Sequence, residues 1–408
     1  MLALSCPEIA RDLLIFPGGL IPIRPDGKLS LAIKASKEAL LAVQQKGGFS
    51  VYVVPIPAKD SEAISIVTAF FDDADEPLVI RTPLFGDENA SVETVALLMT
   101  DEIDVYFLDE LGWERMSYRC TVEDPGSYFM TNEEIRLAPF SKTNSTAILN
   151  ILGAWFGLRT PEDDARAIKI RLREELWPTD QVILDVREGP NEYVGSDGFV
   201  MSELERGAAR PGFHQERDIA ALFRRFLASE QIILNPFKRG SDKEFADVVC
   251  GTGAHVLVIQ AKDSPNTAQA LARSIDRKRR TSESQLKDAL SQVAGARRYM
   301  GSAEPVLLMC KDQDIDLYIA GREVIGLAVI KEIFPTQSAA IAEALQAHHA
   351  LGQRLAILDF PGLSAFVHQF PHEDRFAAEL NAYTDVMLAA DSWIPAKTYL
   401  NERLLRGE

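Results

Sequence analysis

Asp247, Gln260 and Lys262 are the residues whose types and spacing most clearly suggest chemistry in this sequence. A carboxylate and an amide offer oxygen atoms, and oxygen is the ligand type that Mg²⁺ prefers. Hydrolysis of a phosphodiester needs an activated water and neutralised charge, and bound Mg²⁺ can supply both. These residues could serve such chemistry only if the fold brings their side chains together.

The segments that carry these residues are predicted to form a β-hairpin. Glu244–Cys250 and His255–Lys262 are apolar and rich in β-branched residues, which is typical of strands. The glycines between them favour a tight turn. We place the centre of that turn between Thr252 and Gly253.

This hairpin predicts which side chains share a face. Alternate residues of a strand point to the same side, so Gln260 and Lys262 lie together. A turn at the predicted place pairs Asp247 with Val258, which puts Asp247 on that same face and diagonal to Gln260. A slip of one residue in the register would separate them.

A predicted helix ahead of the hairpin adds a further carboxylate. Gln215–Ser229 has apolar residues at the spacing of one helical face, and Glu216 continues this stripe. A carboxylate on a buried face is costly unless it is paired, so a metal at the sheet edge would suit it. The alternative is a carboxylate at the helix start that interacts with the helix dipole.

The order of these features resembles the PD-(D/E)xK nuclease superfamily, in particular its Mrr-like restriction endonucleases, in which the second acidic position is often Gln. A helix bears Glu216, Asp247 follows, Gln260-Ala261-Lys262 ends an apolar strand, and a second helix opens with Ser284-Gln285-Leu286. The resemblance covers roughly 215–320. It implies a restriction-endonuclease-like α-β-β-β-α-β core.

The resemblance also implies a role for each residue. Asp247 would hold Mg²⁺ or Mn²⁺, and Gln260 would offer its side-chain oxygen. Lys262 would orient the water and stabilise charge on phosphorus. Glu216 would complete the metal shell, directly or through water. Gln285 would lie near the site, although Ser282 to Gln285 also fits a capping box at a helix start.

Two departures from the family pattern bear on activity. Ala246 stands where the pattern has Pro, and Gln260 replaces the commoner acid. A neutral Gln leaves two carboxylates where three are usual, which should weaken metal affinity.

A basic run lies between the hairpin and the second helix, in a predicted loop. Such a run beside a nuclease site would contact backbone phosphates, which positions DNA without reading sequence; a solvated loop is the alternative. The candidate DNA-binding residues are Arg277, Lys278, Arg279 and Arg280, with Arg297 and Arg298 as weaker candidates of the same kind.

The charge of the chain is distributed unevenly. The whole chain has a formal net charge of −17, which argues against a nucleic-acid partner, because phosphate binding depends on Lys and Arg. However, His214–Met300 carries 15 Lys and Arg residues and 10 Asp and Glu residues. The candidate site therefore lies in an electropositive part of an acidic protein.

Bulk composition indicates a globular protein of several domains. With 47% hydrophobic and 25% charged residues, the 408-residue chain is typical of folded proteins and too long for one ordinary core. Its four cysteines show no paired spacing, and we expect them to be reduced. Neither a membrane span nor a secretory signal is visible, so we expect a cytoplasmic protein without a membrane partner.

The first half of the chain is predicted to be an α+β domain without a recognisable motif. Its predicted strands are Ser50–Ile56, Ile64–Phe71, Pro77–Arg81, Asp104–Leu108 and Met116–Thr121, and its predicted helices are Ala35–Gln45, Ser91–Thr100 and Asp163–Trp177. The fold class is therefore α/β (α+β) and multi-domain. We predict an N-terminal domain at 1–188, a linker at 189–213, the nuclease-like core at 214–335 and a C-terminal extension at 336–408 that packs on the core.

Three functions remain open from the sequence. The first is a Mg²⁺-dependent endonuclease that cuts DNA, in restriction or anti-phage defence, with the N-terminal domain as a sensor for a regulatory ligand or protein. Homodimerisation would suit it, because cutting both strands usually takes two sites. The second is a non-catalytic nucleic-acid-binding or assembly protein that retains the fold. The third places the main activity in the N-terminal domain.

Overall fold

The chain has a mixed α/β fold that divides into two compact units. The structure is a computed structural model and describes residues 2–16, 18–57, 62–123, 136–177, 211–311 and 313–406. The first unit contains the described residues up to 177 together with Asn266–Arg273. The second contains the rest of the described chain. Most of the predicted linker, 189–213, lies outside the described residues.

An eight-stranded sheet forms the frame of the first unit. Its strands follow the order β1-β2-β6-β7-β8-β3-β4-β5, with β2 and β6 parallel and the other neighbours antiparallel. The strands are β1 (Gly19–Ile23), β2 (Ser30–Lys34), β3 (Gly48–Pro57), β4 (Glu62–Phe70), β5 (Leu78–Thr82), β6 (Glu102–Leu108), β7 (Glu114–Glu123) and β8 (Ile168–Glu175). The helices of this part are α1 (Leu2–Ser5), α2 (Pro7–Ile15), α3 (Lys37–Lys46), α4 (Asn89–Leu98), α5 (Lys142–Ala154) and α6 (Pro161–Arg166).

The core of the first unit forms around α3. Its five consecutive residues from Ala39 to Val43 are all buried, so the middle of this helix is enclosed on every side, while its last residues, 44–46, are exposed. The Ser36 hydroxyl accepts a hydrogen bond from the Ala39 N–H and caps the start of the helix. Gly47 ends it in the left-handed conformation, at φ +66°, which glycine adopts without steric cost. The predicted end, Gln45, differs from the observed end, Lys46, by one residue.

One predicted helix of the first unit is wrong. Asp163–Trp177 was expected to be helical, but most of it forms strand β8 between β7 and β3. Ile168, Ile170 and Leu172 alternate with charged residues, which is the period of a strand with one buried face. Only the capped helix α6 precedes it. Alternation outweighed the helical composition of this segment.

The second unit contains a five-stranded sheet and a smaller three-stranded one. The large sheet has the order β16-β15-β12-β11-β9, in which β12, β15 and β16 are parallel, and the small sheet has the order β10-β13-β14. The strands are β9 (Ile232–Leu234), β10 (Phe237–Lys238), β11 (Val248–Gly251), β12 (His255–Lys262), β13 (Val306–Cys310), β14 (Gln313–Leu317), β15 (Glu323–Ile330) and β16 (Arg354–Asp359). The remaining helices are α7 (Pro211–Phe223), α8 (Ala268–Leu271), which belongs to the first unit, α9 (Ile275–Met300), α10 (Ser338–Ala350), α11 (Phe360–Gln369), α12 (Glu373–Ala390) and α13 (Ala396–Arg406).

The predicted hairpin exists, but its register differs from the prediction by two residues. Val248 pairs with Ile259, and the turn is closed by the Thr252 N–H donating to the His255 carbonyl at 2.8 Å. Asp247 is therefore level with Gln260, and its predicted partner Val258 pairs with Val249. A shift of two residues preserves the face of every side chain, because the period of a strand is two.

The basic run lies in a helix and not in a loop, so that prediction is wrong. Helix α9 begins at Ile275, with Ser274 at its N-cap, and the run from Arg277 to Arg280 forms its first turns. The predicted helix start near Ser284 lies well inside α9. Helix α9 packs on the sheet face that also carries Val256 and Val258.

Gly326 sets how closely α9 approaches the sheet. It lies in β15 opposite Val258, and a Cβ atom built there would stand 2.6 Å from the Val293 Cγ1 atom of α9. Even one methyl group therefore does not fit. A glycine inside a strand often marks such a close approach.

We predict that Gly326→Ala lowers the free energy of unfolding by about 1 to 3 kcal/mol through overpacking against Val293. The Gly326→Ala/Val293→Ala double variant should be more stable than the sum of the two single effects, because Val293→Ala makes room for the new methyl group. Urea denaturation of the four proteins measures the difference. Additive effects would show that Val293 does not limit the approach of the helix.

Candidate metal centre

The candidate site lies where the β11–β12 hairpin opens, at the end of β12. Residues of β12 with even numbers share a face, and the register places Asp247 on the face of Val249 and Val258. Gln260 and Lys262 lie on that face as well. The structure thus brings together the three residues with which the sequence analysis began.

Asp247 is a buried carboxylate, with 5% of its surface exposed. Its Oδ2 atom accepts a hydrogen bond from the Ala261 N–H at 2.5 Å. Burial raises the pKa of Asp247 to about 7, and the negative charges of Glu216 and Glu244 add to the rise. The Ala261 N–H and the Lys262 ammonium act in the opposite direction. The carboxylate therefore lies in surroundings that favour a proton or a cation.

Gln260 is buried beside Asp247, with 3% of its surface exposed. Its Nε2 atom donates to the Phe245 carbonyl at 3.3 Å. This bond uses the nitrogen of the amide and fixes its orientation, which leaves the Oε1 oxygen as the atom suited to a cation.

Glu216 also reaches the site, and its partner is a residue that the sequence analysis missed. The Asn235 Nδ2 atom donates to Glu216 Oε2 at 2.8 Å, and the Asn235 backbone N–H donates to the Asp247 carbonyl at 2.8 Å. The alternative role at the start of a helix is wrong, because α7 begins at Pro211 and no acidic residue lies in its first turn.

Glu244 is a third nearby carboxylate that the sequence analysis missed. It keeps much of its surface in solvent, yet partial desolvation raises its pKa, and the charge of Glu216 adds to this rise while Lys262 opposes it. In the predicted strand Glu244–Cys250, alternation would place the Glu244 side chain on the other face of the strand from Asp247. The ladder with β12 begins only at Val248, and Glu244 instead bridges to Phe237. The alternation of side chains along a strand therefore could not have predicted that Glu244 lies near Asp247.

Gln285 lies beside the residues that follow Lys262. Its Nε2 atom donates to the Asp263 carbonyl at 2.9 Å and to the Ser264 hydroxyl at 3.3 Å. The alternative capping box is wrong, because Ser282 lies inside α9, where its hydroxyl donates to the Glu332 carbonyl.

The basic residues of α9 differ in their availability. Arg277 and Arg280 are exposed, whereas Lys278 and Arg279 are half-buried. Arg279 also lies 3.7 Å from the Asp276 carboxylate. Arg297 has a structural role, because its guanidinium donates to the Val324 and Arg354 carbonyls. Arg298 is exposed at the far end of the helix.

The donor set at Asp247 suits a hard divalent cation. Its candidate ligand atoms are all oxygens, from the carboxylates of Asp247 and Glu216 and from the Gln260 amide. The raised pKa of Asp247 shows that its charge lacks full compensation, which a cation would supply. In the part of the chain that the structure describes, no group of three or more His, Cys, Asp and Glu side chains is arranged around a common metal position. The donor set at Asp247 therefore depends on the amide as its third member.

The buried charges of the first unit form a structural cluster. Asp109 accepts hydrogen bonds from the Leu111 and Trp113 N–H groups with Oδ1 and from the Arg115 guanidinium with Oδ2. Although burial raises the pKa of Asp109, the charges of Arg115 and Lys37 lower it to about 2. The charge of Asp109 is thus compensated within the fold, and removing one partner of such a buried pair is strongly destabilising.

Comparison with known proteins adds no relative. No protein-family model, no curated protein and no solved structure matches the chain. Among the helices that the structure describes, none combines the length and the apolar run needed to cross a bilayer.

We predict that Asp247→Asn stabilises the metal-free protein at pH 8. The folded-state pKa of about 7 exceeds the ordinary value of 3.8, so the folded wild type binds the proton more tightly and loses stability as the pH rises from about 4 to 7. Above about pH 7 the loss levels off at about 4 kcal/mol. The neutral amide avoids it.

Urea denaturation in EDTA at pH 5, 6, 7 and 8 measures this effect. The difference between Asp247→Asn and wild type should grow up to pH 7 and then level off. Asp242→Asn is the matched control, since Asp242 is exposed. The same difference at pH 5 and pH 8 would contradict the assigned pKa of Asp247.

Proposed function

We propose that the second unit is a metal-dependent deoxyribonuclease of the PD-(D/E)xK type. The observation that carries the proposal is the juxtaposition of buried Asp247 with Gln260 and Lys262 on one sheet face. If the small sheet β10-β13-β14 and helix α8 of the first unit are set aside, the remaining elements follow the order α7, β9, β11, β12, α9, β15. This order supports the proposal, since it is the α-β-β-β-α-β order that the resemblance implies. The chain departs from the family pattern at two positions, with Ala246 in place of Pro and Gln260 in place of the commoner acid.

The side chains have distinct tasks in this proposal. Bound Mg²⁺ or Mn²⁺ would supply charge neutralisation and lower the pKa of a coordinated water. Asp247 and Glu216 would hold it with carboxylate oxygens and Gln260 with Oε1. The Lys262 ammonium would donate to the scissile phosphate and stabilise its growing negative charge. Gln285 would keep the residues after Lys262 in place through its two hydrogen bonds.

Helix α9 would provide part of the DNA-binding surface. Its exposed Arg277 and Arg280 are three residues apart and therefore lie on one side of the helix. They belong to the segment in which basic residues outnumber acidic ones. Contacts of this kind neutralise phosphates and do not read bases.

The proposal includes a regulatory role for the first unit and a cellular role for the protein. A nuclease with no sequence-reading module needs control, and the first unit would provide it by binding a regulatory ligand or protein. Restriction or anti-phage defence in the cytoplasm, by a homodimer that cuts both strands, suits this design. A non-catalytic nucleic-acid-binding protein is the second candidate, and the neutral Gln260 favours it.

We predict that the purified protein cuts DNA in the presence of Mg²⁺ or Mn²⁺, and that Asp247→Ala and Lys262→Ala each lower the rate at least about 100-fold. The measurement uses supercoiled plasmid, linear duplex and single-stranded DNA, with circular dichroism to verify folding. Lys46→Ala, an exposed lysine at the end of α3, is the matched control and should cut normally. DNA binding without cutting by the wild type would favour the non-catalytic candidate.

We also predict that Arg277→Gln/Arg280→Gln weakens binding of catalytically inactive protein to DNA of any sequence. Removing two phosphate contacts should make the slope of log affinity against log salt shallower by about 2. Fluorescence anisotropy at several salt concentrations measures it.

Arg298→Gln tests the specificity of this effect. Arg298 lies on the same helix about 27 Å beyond Arg280 at 1.5 Å per residue. This variant should keep the affinity and slope of the wild type. An equal loss in both variants would show that no part of α9 is special for DNA.

A further inference from the structure

Asn235 is hydrogen-bonded to the two residues that carry the carboxylates of the candidate metal centre. Its side chain donates to Glu216 Oε2 and its backbone N–H donates to the Asp247 carbonyl, both at 2.8 Å. Glu216 belongs to a helix and Asp247 to a strand edge, and the two are distant in sequence. Asn235 is therefore a direct link between the elements that carry them.

The backbone of Asn235 explains why this residue type stands there. It follows β9 directly and has φ +51°, in the left-handed region that Asn adopts more readily than most other residues. This conformation turns the chain from β9 so that the main-chain N–H meets Asp247 while the side chain meets Glu216. Glycine would tolerate the same backbone but would offer no side-chain donor.

Repulsion makes this donor important for Glu216. Glu216, Glu244 and Asp247 are carboxylates in one cluster, and their mutual electrostatic interactions are repulsive. Without a donor on Glu216, its side chain would gain by rotating away from Asp247. The Asn235 amide opposes that rotation at one carboxylate oxygen and leaves the other free for a ligand.

The second polar atom of the same amide also suits a metal centre. Asn235 Oδ1 is buried and has no hydrogen-bond partner among the described residues. A buried acceptor without a donor is costly, and residues at functional sites are where such atoms persist. Because Oδ1 and Nδ2 belong to one planar amide, this acceptor lies beside Glu216. A water molecule on a cation held by Glu216 would donate the hydrogen bond that Asn235 Oδ1 lacks.

We propose that Asn235 is a positioning residue of the metal centre, which holds Glu216 against Asp247 so that both face one hydrated divalent cation. This inference rests on the proposed nuclease function. Its role is to act through Glu216, in the way that outer-shell hydrogen bonds orient the ligands of other metal sites.

Asn235→Gly and Asn235→Asp separate this role from a backbone role. Asn235→Gly retains the left-handed conformation and removes the amide, so we expect about tenfold weaker Mn²⁺ binding with an unchanged melting temperature of the metal-free protein. Asn235→Asp keeps the size but places a carboxylate against Glu216, so its loss should be at least as large. Isothermal titration calorimetry with MnCl₂ at pH 7.5 measures both. Asn89→Gly, at an exposed asparagine that begins α4 of the first unit, is the control and should bind as the wild type does.

A double-mutant cycle shows whether the effect passes through Glu216. In a Glu216→Gln background, adding Asn235→Gly should change the Mn²⁺ affinity measured by calorimetry less than twofold. A tenfold effect that persists in that background would overturn the inference, and so would Mn²⁺ affinity in Asn235→Gly within twofold of the wild type. Those results leave the nuclease proposal standing if the wild type binds Mn²⁺ and cuts. A wild type that does neither would overturn both.

Discussion

A desolvated carboxylate at the opening of a β-hairpin is the constraint on which the rest of the second unit depends. Asp247 is buried, and its pKa is raised to about 7 because solvent is excluded and two further carboxylates lie nearby. Lys262 and the Ala261 N–H compensate only part of this cost. Natural proteins keep such an arrangement where charge is used, so the energetic cost at Asp247 is itself an argument for function.

The other elements of the second unit place this carboxylate. The parallel strands β12, β15 and β16 end at one edge, where Lys262, Ile330 and Asp359 are in register. Helix α7 brings Glu216, helix α9 brings Gln285, and the left-handed Asn235 joins Glu216 to the Asp247 backbone. Gly326 lets α9 approach the sheet closely. Glu216, Gln285 and Asn235 are each held at the candidate site by hydrogen bonds.

Local patterns were enough to predict part of this site. Strand β12 has the predicted bounds, His255–Lys262, because its apolar residues end where charge begins. Asp247 shares the face of Lys262 despite a register error of two residues, because side chains in a strand alternate with a period of two.

Other parts of the site could not be predicted. The N-terminal end of α9 was misplaced because its basic first turns resemble a loop, although Arg and Lys are good helix formers. Strand β15, Glu323–Ile330, was missed, although it is central to the sheet. Asn235 and Glu244 escaped prediction because their positions depend on an irregular turn after β9, which carries no periodic signal.

The central claim is that a divalent cation binds at Asp247, and crystals soaked in MnCl₂ test it most directly. An anomalous difference map should show a Mn²⁺ peak within coordination distance of the Asp247 carboxylate, with Glu216 bound to it directly or through water. The same soak of Asp247→Asn crystals should show no peak there. Wild-type crystals without a peak at Asp247, under conditions in which the protein cuts DNA, would contradict the claim.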